Sequence, residues 1–323
     1  MLFQYISIDN INVADDSFRM TFLPDLEALK VSIRSIGVVS PIHLRHTADG
    51  RYQIISGYKR VLASKELGKQ TVPALIYEHV DISPIHSFLH NLHDNVFSRK
   101  LNLIEKAIVV SKLSRIYGVP EEELVERYLP LMGEGKSYKI LHQLTSLVEV
   151  IEPVKTYIVR SELPLSSAAR IAEFSPSAQN ALLTILESVK PSASKLNELL
   201  DLIREISARD GISVEDVLVR YELIAIVANP LTAPQDKIRA LRQTLKGIRL
   251  PRLMEKQTEF LKLIQELELP EGADLKVDPY FEDPSMKLEY KFDAPEELEL
   301  LVAHLGEAIK KQQWKKIFEW YRA

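Results

Sequence analysis

Ile54-Ile55-Ser56-Gly57-Tyr58-Lys59-Arg60-Val61-Leu62-Ala63 is the stretch that frames the chain. An apolar strand pattern runs into a glycine, then two cations, then a helix-like run. Such a corner sets backbone N–H groups at a helix start beside Lys59 and Arg60, an arrangement suited to an anion and most often a phosphate. The motif is short and recurs in ordinary turns, so a solvated helix start is the competing reading, and the flanks must decide. Upstream, Leu26, Leu29, Ile33 and Ile36 recur at helical spacing, and Gly37 stands at the stop. Val38 to Arg45 then predicts a strand, with Pro41 near its start. Asp49-Gly50 is a tight-turn signal, which makes Ile42–Arg45 and Arg51–Ile55 the arms of a hairpin. Downstream, Val61 to Leu67 predicts a short helix stopped by Gly68, and Val72 to Tyr77 another strand. His93-Asp94-Asn95-Val96-Phe97-Ser98-Arg99-Lys100-Leu101-Asn102 follows, with Glu105 three residues after Asn102 in a capping-box pattern.

Four of these segments stand in a telling order: Ser32-Ile33…Gly37, Pro41-Ile42-His43-Leu44-Arg45, Gly57-Tyr58-Lys59-Arg60-Val61-Leu62-Ala63, and Asp94-Asn95…Arg99-x-Leu101-Asn102-x-x-Glu105-x-Ala107. In order and spacing they resemble the N-terminal region of the ParB-type chromosome and plasmid partition proteins, and the resemblance continues to about residue 190. It implies an α+β, mostly helical chain. A small mixed ParB/sulfiredoxin-like nucleotide-binding domain would occupy 1–98, and a helical helix-turn-helix DNA-binding domain 99–190. It implies CTP and Mg2+ as ligands. Gly57, Lys59, Arg60 and Arg99 would meet phosphates, and Arg19 would face the nucleotide pocket. Asn95 would hold the metal through its carbonyl oxygen, and Asp94 would lie near the phosphates as the catalytic candidate for a slow CTP hydrolysis. The chain departs from the family at Tyr58-Lys59, where a Glu-Arg pair is usual, at Asp94, where Glu is usual, and at Arg99, one residue later than usual. From the residues alone Asp94 and Asn95 read equally well as a turn pair ahead of the next helix. Glu105 reads as the cap partner of Asn102.

After Leu101 the pattern turns helical. Leu103-Ile104, Ala107-Ile108, Leu113 and Ile116 make one stripe. Pro120-Glu121-Glu122-Glu123 is a helix start with acids on the positive end of the dipole, and Pro130 and Gly133 are expected to break that helix. Lys136 to Leu144 predicts a further helix with Ile140, Leu141 and Leu144 inward and Ser137, Lys139, His142 and Gln143 outward. Helix, broken turn and a helix with a polar, cationic face are the parts of a helix-turn-helix. By resemblance Lys136, Ser137, Lys139, His142 and Gln143 are the DNA-contacting set.

Lys190-Pro191-Ser192-Ala193-Ser194 reads as a hinge, followed by a helical linker region over 191–250. Residues 236–262 are the most cationic part of the chain, a pattern most often met as a solvated helical face. Residues 251–323 read as helix–strand–strand–helix, with Asp274–Val277 and Lys287–Phe292 as strands around a connection ending at Asp283-Pro284, and one last helix running from Pro295 to Trp320. Two strands alone make a marginal sheet, so this region is a candidate dimerisation domain and the chain a homodimer.

The 323 residues suffice for two or three domains, and the formal charge of −4 argues against a surface coated in cations. With no cysteine there is no disulfide framework and no thiolate chemistry. No apolar run has membrane-spanning length and the N-terminus lacks a signal-peptide pattern, so the expectation is a cytoplasmic protein without a membrane partner, nucleoid-associated if it binds DNA. His86, His90 and His93 share helix-face spacing and read as structural rather than metal-binding. Two other functions compete: a small-substrate phosphotransferase on the same scaffold, and an interaction adaptor that has lost nucleotide binding.

Overall fold

A computed structural model describes residues 1–283 and 285–322; Pro284, named above in the β-connection, and Ala323 lie outside the described residues. The chain is α+β and mostly helical, and it divides into two compact units, Met1–Leu200 and a second that starts at Asp201.

The first unit begins with β1 (Leu2–Ser7), α1 (Glu27–Ile36), β2 (Ile42–His46), β3 (Tyr52–Ser56), α2 (Tyr58–Glu66) and β4 (Thr71–Glu78). The sheet order is β1-β4-β2-β3, with β2 parallel to β4 and both other pairings antiparallel. The two faces of the sheet meet different cores, while the edge strand β1 leaves Leu2, Phe3 and Tyr5 exposed. Ile6, Ile42, Leu44, Ile54, Val72, Ala74 and Ile76 pack with Val61 of α2. Ile55 on the opposite face packs with Phe88 and Leu92 of α3 (Pro84–Ser98). That second core continues without interruption into α4 (Leu103–Arg115) through Val109, Val110 and Leu113, and on to Leu124, Tyr128, Leu141 and Leu144. The sheet and the helices after residue 98 therefore share one apolar interior.

Two local differences from the sequence reading have physical causes. The strand expected from Val38 starts only at Ile42, because Gly37 (φ 77°) turns the chain and the carbonyls of Ser40 and Pro41 are bonded by the Arg60 guanidinium at 2.6 and 2.8 Å instead of by a ladder. Pro130 does not break its helix. Glu121–Glu123 (α5) leads into a π turn, Leu124–Tyr128, and Pro130 sits inside the following turn, Leu129–Leu131 (α6). A widened turn relieves the clash between a proline ring and the preceding carbonyl. The stop comes at Gly133 (φ 76°), and α7 (Tyr138–Ser146) follows. The rest of the unit is α8 (Glu152–Arg160), α9 (Leu165–Ala172), α10 (Pro176–Val189) and α11 (Ala193–Asp210), which spans the division.

The second unit holds α12 (Val214–Arg220), α13 (Leu223–Ala228), α14 (Pro234–Arg249), α15 (Pro251–Gln265), the antiparallel pair β5 (Ala273–Val277) and β6 (Met286–Tyr290), α16 (Pro295–Lys310) and α17 (Gln313–Arg322). The last helix of the sequence reading is split into α16 and α17 at Gln312, a non-glycine residue in the left-handed region (φ 56°), and Glu222 (φ 51°) likewise separates α12 from α13. Phe260, Phe281, Trp320 and Tyr321 form an aromatic cluster with ring centroids 5.4–5.9 Å apart. Within the basic run Arg239 pairs with Asp236 at 3.1 Å and Arg249 with Glu205 at 2.8 Å. No helix among the described residues is long and apolar enough to cross a membrane.

Gly57 is the fixed point of the corner. Its φ is 100°, and a Cβ there would lie 2.6 Å from Ile42 Cγ2, which is fully buried. Gly57→Ala is expected to cost about 2–4 kcal/mol in urea unfolding, strain plus overpacking. Gly50→Ala, at φ 81° with nothing within 4 Å of the added carbon, should cost about 1–2 kcal/mol. Equal losses at the two sites would show that the close approach to Ile42 carries no weight.

Candidate functional site

The glycine corner and the Asp94-Asn95 segment meet in space. Ser56 Oγ donates a hydrogen bond to Asp94 Oδ2, and Arg60 lies 3.8 Å from the same carboxylate. Both line a cavity of about 420 Å³ with Ser32, Ile33, the Gly37–Pro41 turn, His43 and Ser98. The wall is built by local rules. Gly57 lets α2 begin directly against β2, which points Arg60 on the first turn of α2 at the turn that precedes β2. Burial pulls the Arg60 pKa below its ordinary value while Asp94 opposes that shift. The guanidinium stays charged, because an arginine starts far above neutrality.

His43 is the wall residue that the motif reading missed. It alternates with the core residues Ile42 and Leu44, so the period of the strand alone puts it on the other face of the sheet. Its Nδ1 is 3.3 Å from the Tyr77 hydroxyl, and its ring packs on His90 with centroids 4.5 Å apart. Burial, helped by His90 and Arg60 and opposed by Asp94, lowers its pKa to about 4. Ser40 and Pro41 act through backbone carbonyls, which no side-chain motif can announce.

The remaining residues of the predicted site lie around this cavity rather than in it. Arg19 donates to the Tyr58 hydroxyl at 3.1 Å and stacks over that ring at 5.2 Å. It faces a second cleft with Lys112, whose Nζ donates to the Asp16 carbonyl. Tyr58, standing where the family has Glu, is thus what holds Arg19. Lys59 sits beside Arg99 and Glu105; burial first, and then Arg99, lower its pKa. Arg99 grips Glu105 with two bonds of 2.6 and 3.0 Å and donates from Nε to Asn95 Oδ1 at 2.9 Å. Asn95 Nδ2 in turn donates to Asn91 Oδ1 at 2.7 Å, and Asn91 Nδ2 to the Phe18 carbonyl at 2.7 Å. Glu105 also closes the capping box with Asn102.

In the helical segment the turn Gly133–Ser137 joins α6 to α7. Leu141 and Leu144 face the core, while Lys136, Lys139 and His142 are exposed and Ser137 and Gln143 half-buried. Two of these groups have acidic neighbours: Lys136 Nζ lies 2.5 Å from Glu126 and His142 Nε2 3.6 Å from Glu121.

Residues 2–91, which include the corner, its hairpin and the first half of α3, match the ParB N-terminal domain. Through these residues the chain resembles ParB proteins. Over 160 residues it is 31% identical to the chromosome-partitioning protein ParB of Caulobacter vibrioides, covering 49% of this chain and 50% of that protein. Over 181 residues it is 30% identical to the nucleoid occlusion protein of Halalkalibacterium halodurans, covering 54% of this chain and 60% of that one. The chain thus spans about half the length of the curated relatives it matches. Among solved structures, the C-terminally truncated ParB of Caulobacter crescentus complexed with CTP-gamma-S is 27% identical, with a TM-score of 0.28, over 57% of this chain and 97% of that one.

The depressed His43 pKa has a defined consequence. Between pH 6.5 and about 4 the unfolded chain binds a proton that folded His43 refuses, so stability rises with pH across this window and is lost as pH falls through it. Urea titrations at pH 7 and pH 5 should show a smaller pH-linked loss in His43→Gln than in the wild type. An identical loss in both would mean that His43 titrates normally.

Proposed function

We propose that this chain is a ParB-like DNA-binding protein whose N-terminal region takes a nucleoside triphosphate, CTP with Mg2+, and whose helical region engages DNA through the turn and first residues of α7. The observation that carries the reading is the meeting of Arg60 and Asp94 on one cavity wall, each from a different one of the family's motifs. A guanidinium beside a helix start and backbone N–H groups suits polyphosphate. The phosphates would be held by Gly57, Lys59 and Arg60. Asp94 offers an anionic oxygen at the cavity, and Mg2+ needs only one or two protein oxygens. Asn95 Oδ1 accepts from Arg99, so it reaches a metal only after Arg99 lets go. Bound Mg2+ would neutralise phosphate charge next to Asp94.

Pairing of two copies fits the second unit. Leu298, Val302 and Ile309 of α16 are exposed on one helical face. Two copies would bury that face and extend the two-stranded β5–β6 sheet. Nucleotide would then favour closure of the paired N-terminal domains around DNA, through a higher affinity for the closed arrangement. A second reading, an adaptor without DNA contact, draws on the carboxylates that pair with Lys136 and His142.

Calorimetry with CTP, ATP and GTP plus Mg2+ tests the first part. The wild type should bind CTP, and Arg60→Ala should lose tenfold or more in affinity, about 1.5 kcal/mol or above for a charge-assisted contact. Failure of the wild type to bind any nucleotide removes the nucleotide reading. DNA retention should fall steeply with salt and weaken in Lys139→Ala. No DNA retention even at low salt would leave the adaptor. In sedimentation, Val302→Glu should shift a dimer to a monomer, and a wild type that is monomeric at high concentration rejects the pairing.

A further inference from the structure

Glu105 is buried, 1% exposed, yet it carries far more than a helix cap needs. One oxygen accepts from the Asn102 N–H at 3.0 Å and from Arg99 at 2.6 Å. The other accepts from Arg99 at 3.0 Å and from the Phe22 N–H at 3.3 Å. Lys59 feels the same carboxylate, which favours its charged form. So one buried anion faces two cations that the motifs direct toward phosphate. It also joins three pieces of the chain: the Phe18–Phe22 loop, the end of α3, and the start of α4.

A capping box is satisfied equally by Glu or Gln, since the cap needs only an acceptor. A bidentate grip on a guanidinium needs the charge. The choice of Glu here is explained by Arg99 rather than by the helix start.

Resting on the nucleotide reading above, we infer that Glu105 is an internal counter-ion that stands in for phosphate: it holds Arg99 while the site is empty, and a bound polyphosphate competes with it for Arg99. Arg99 directly follows Ser98, which lines the Arg60–Asp94 cavity, and its Nε is already bonded to Asn95, the neighbour of Asp94. When Arg99 turns to the ligand, Asn95 Oδ1 is freed and Glu105 loses its strongest partner. The remaining bonds of Glu105 are those at the first turn of α4 and to Phe22. Ligand occupancy is therefore transmitted to the N-terminus of the helix that packs against α7. Glu105 is a positioning residue in this scheme and touches no ligand.

The test uses the full chain and two probes, Mg·CTP and inorganic tripolyphosphate, the second reading the cations without regard to the base. Glu105→Gln keeps the cap and removes the competitor, so tripolyphosphate should bind about tenfold more tightly. The gain should vanish in the Arg99→Gln background. Affinity that is unchanged or weaker in Glu105→Gln, or a gain that survives without Arg99, overturns the inference. Because the variant can lose stability, hydrogen exchange on the wild type supplies an independent reading. Saturation with either probe should lower amide protection at Glu105 and Lys106 while leaving α10 unchanged, and a bound probe that leaves those amides equally protected overturns it. Tripolyphosphate binding without CTP binding would reject the nucleotide reading and leave the counter-ion intact. Binding of neither probe by the wild type or by Glu105→Gln rejects both.

Discussion

The arrangement of the first unit depends on one guanidinium. Arg60 reaches from the first turn of α2 to the carbonyls of Ser40 and Pro41 and stands near Asp94. Those carbonyls lie in a turn that has no ladder partner, and Pro41 has no N–H to offer one. A charged donor that satisfies both at once fixes where β2 begins, and with it the register of the central strands. The same group supplies positive charge to the cavity. The register of the sheet and the charge of the cavity wall are thus set by the same atoms.

Around that clamp the polar groups fall into two systems. Arg60, Asp94 and His43 form a cavity wall, with buried Ser56 bonded to Asp94 behind it. Asn91, Asn95, Arg99 and Glu105 form a chain of bonds running from the Phe18 carbonyl to the start of α4. They meet at the peptide bond between Asp94 and Asn95. Successive residues on a helix point about 100° apart, so one can face a cavity and the next an interior network. Because the interior around this network is continuous with the core of the helical segment, a change in its hydrogen bonding is felt by α4 and α7 as a packing change.

Much of this was legible in the sequence. The hairpin, the glycine corner, the Asn102–Glu105 cap and the helix expected over Lys136–Leu144, which starts two residues later at Tyr138, follow from turn residues and periodicity, which are local signals. What was not legible was non-local. Arg99 carries the same charge as Arg60, and only the fold shows that a buried carboxylate claims it. Tyr58 looked like a neutral replacement for an acid, and the structure shows it as the platform under Arg19. Pro130 was read as a breaker because a proline in a regular helix is one, and the π turn ahead of it has no sequence signature as plain as a glycine or a cap. Gln312 and Glu222 divide helices without the glycine that usually marks such a division.

The π turn has a further meaning for descent. A five-residue loop in the ladder amounts to one residue more than a regular helix would hold. Loss of a single residue between Leu124 and Tyr128 would restore ordinary winding and rotate all that follows by about 100°. Leu129, now fully buried, would swing out of the interior, and the loop leading to α7 would leave in another direction. The length of this helix is therefore under stricter constraint than its composition: point changes on its outer side are tolerable, whereas a one-codon deletion there re-aims the helix expected to meet DNA.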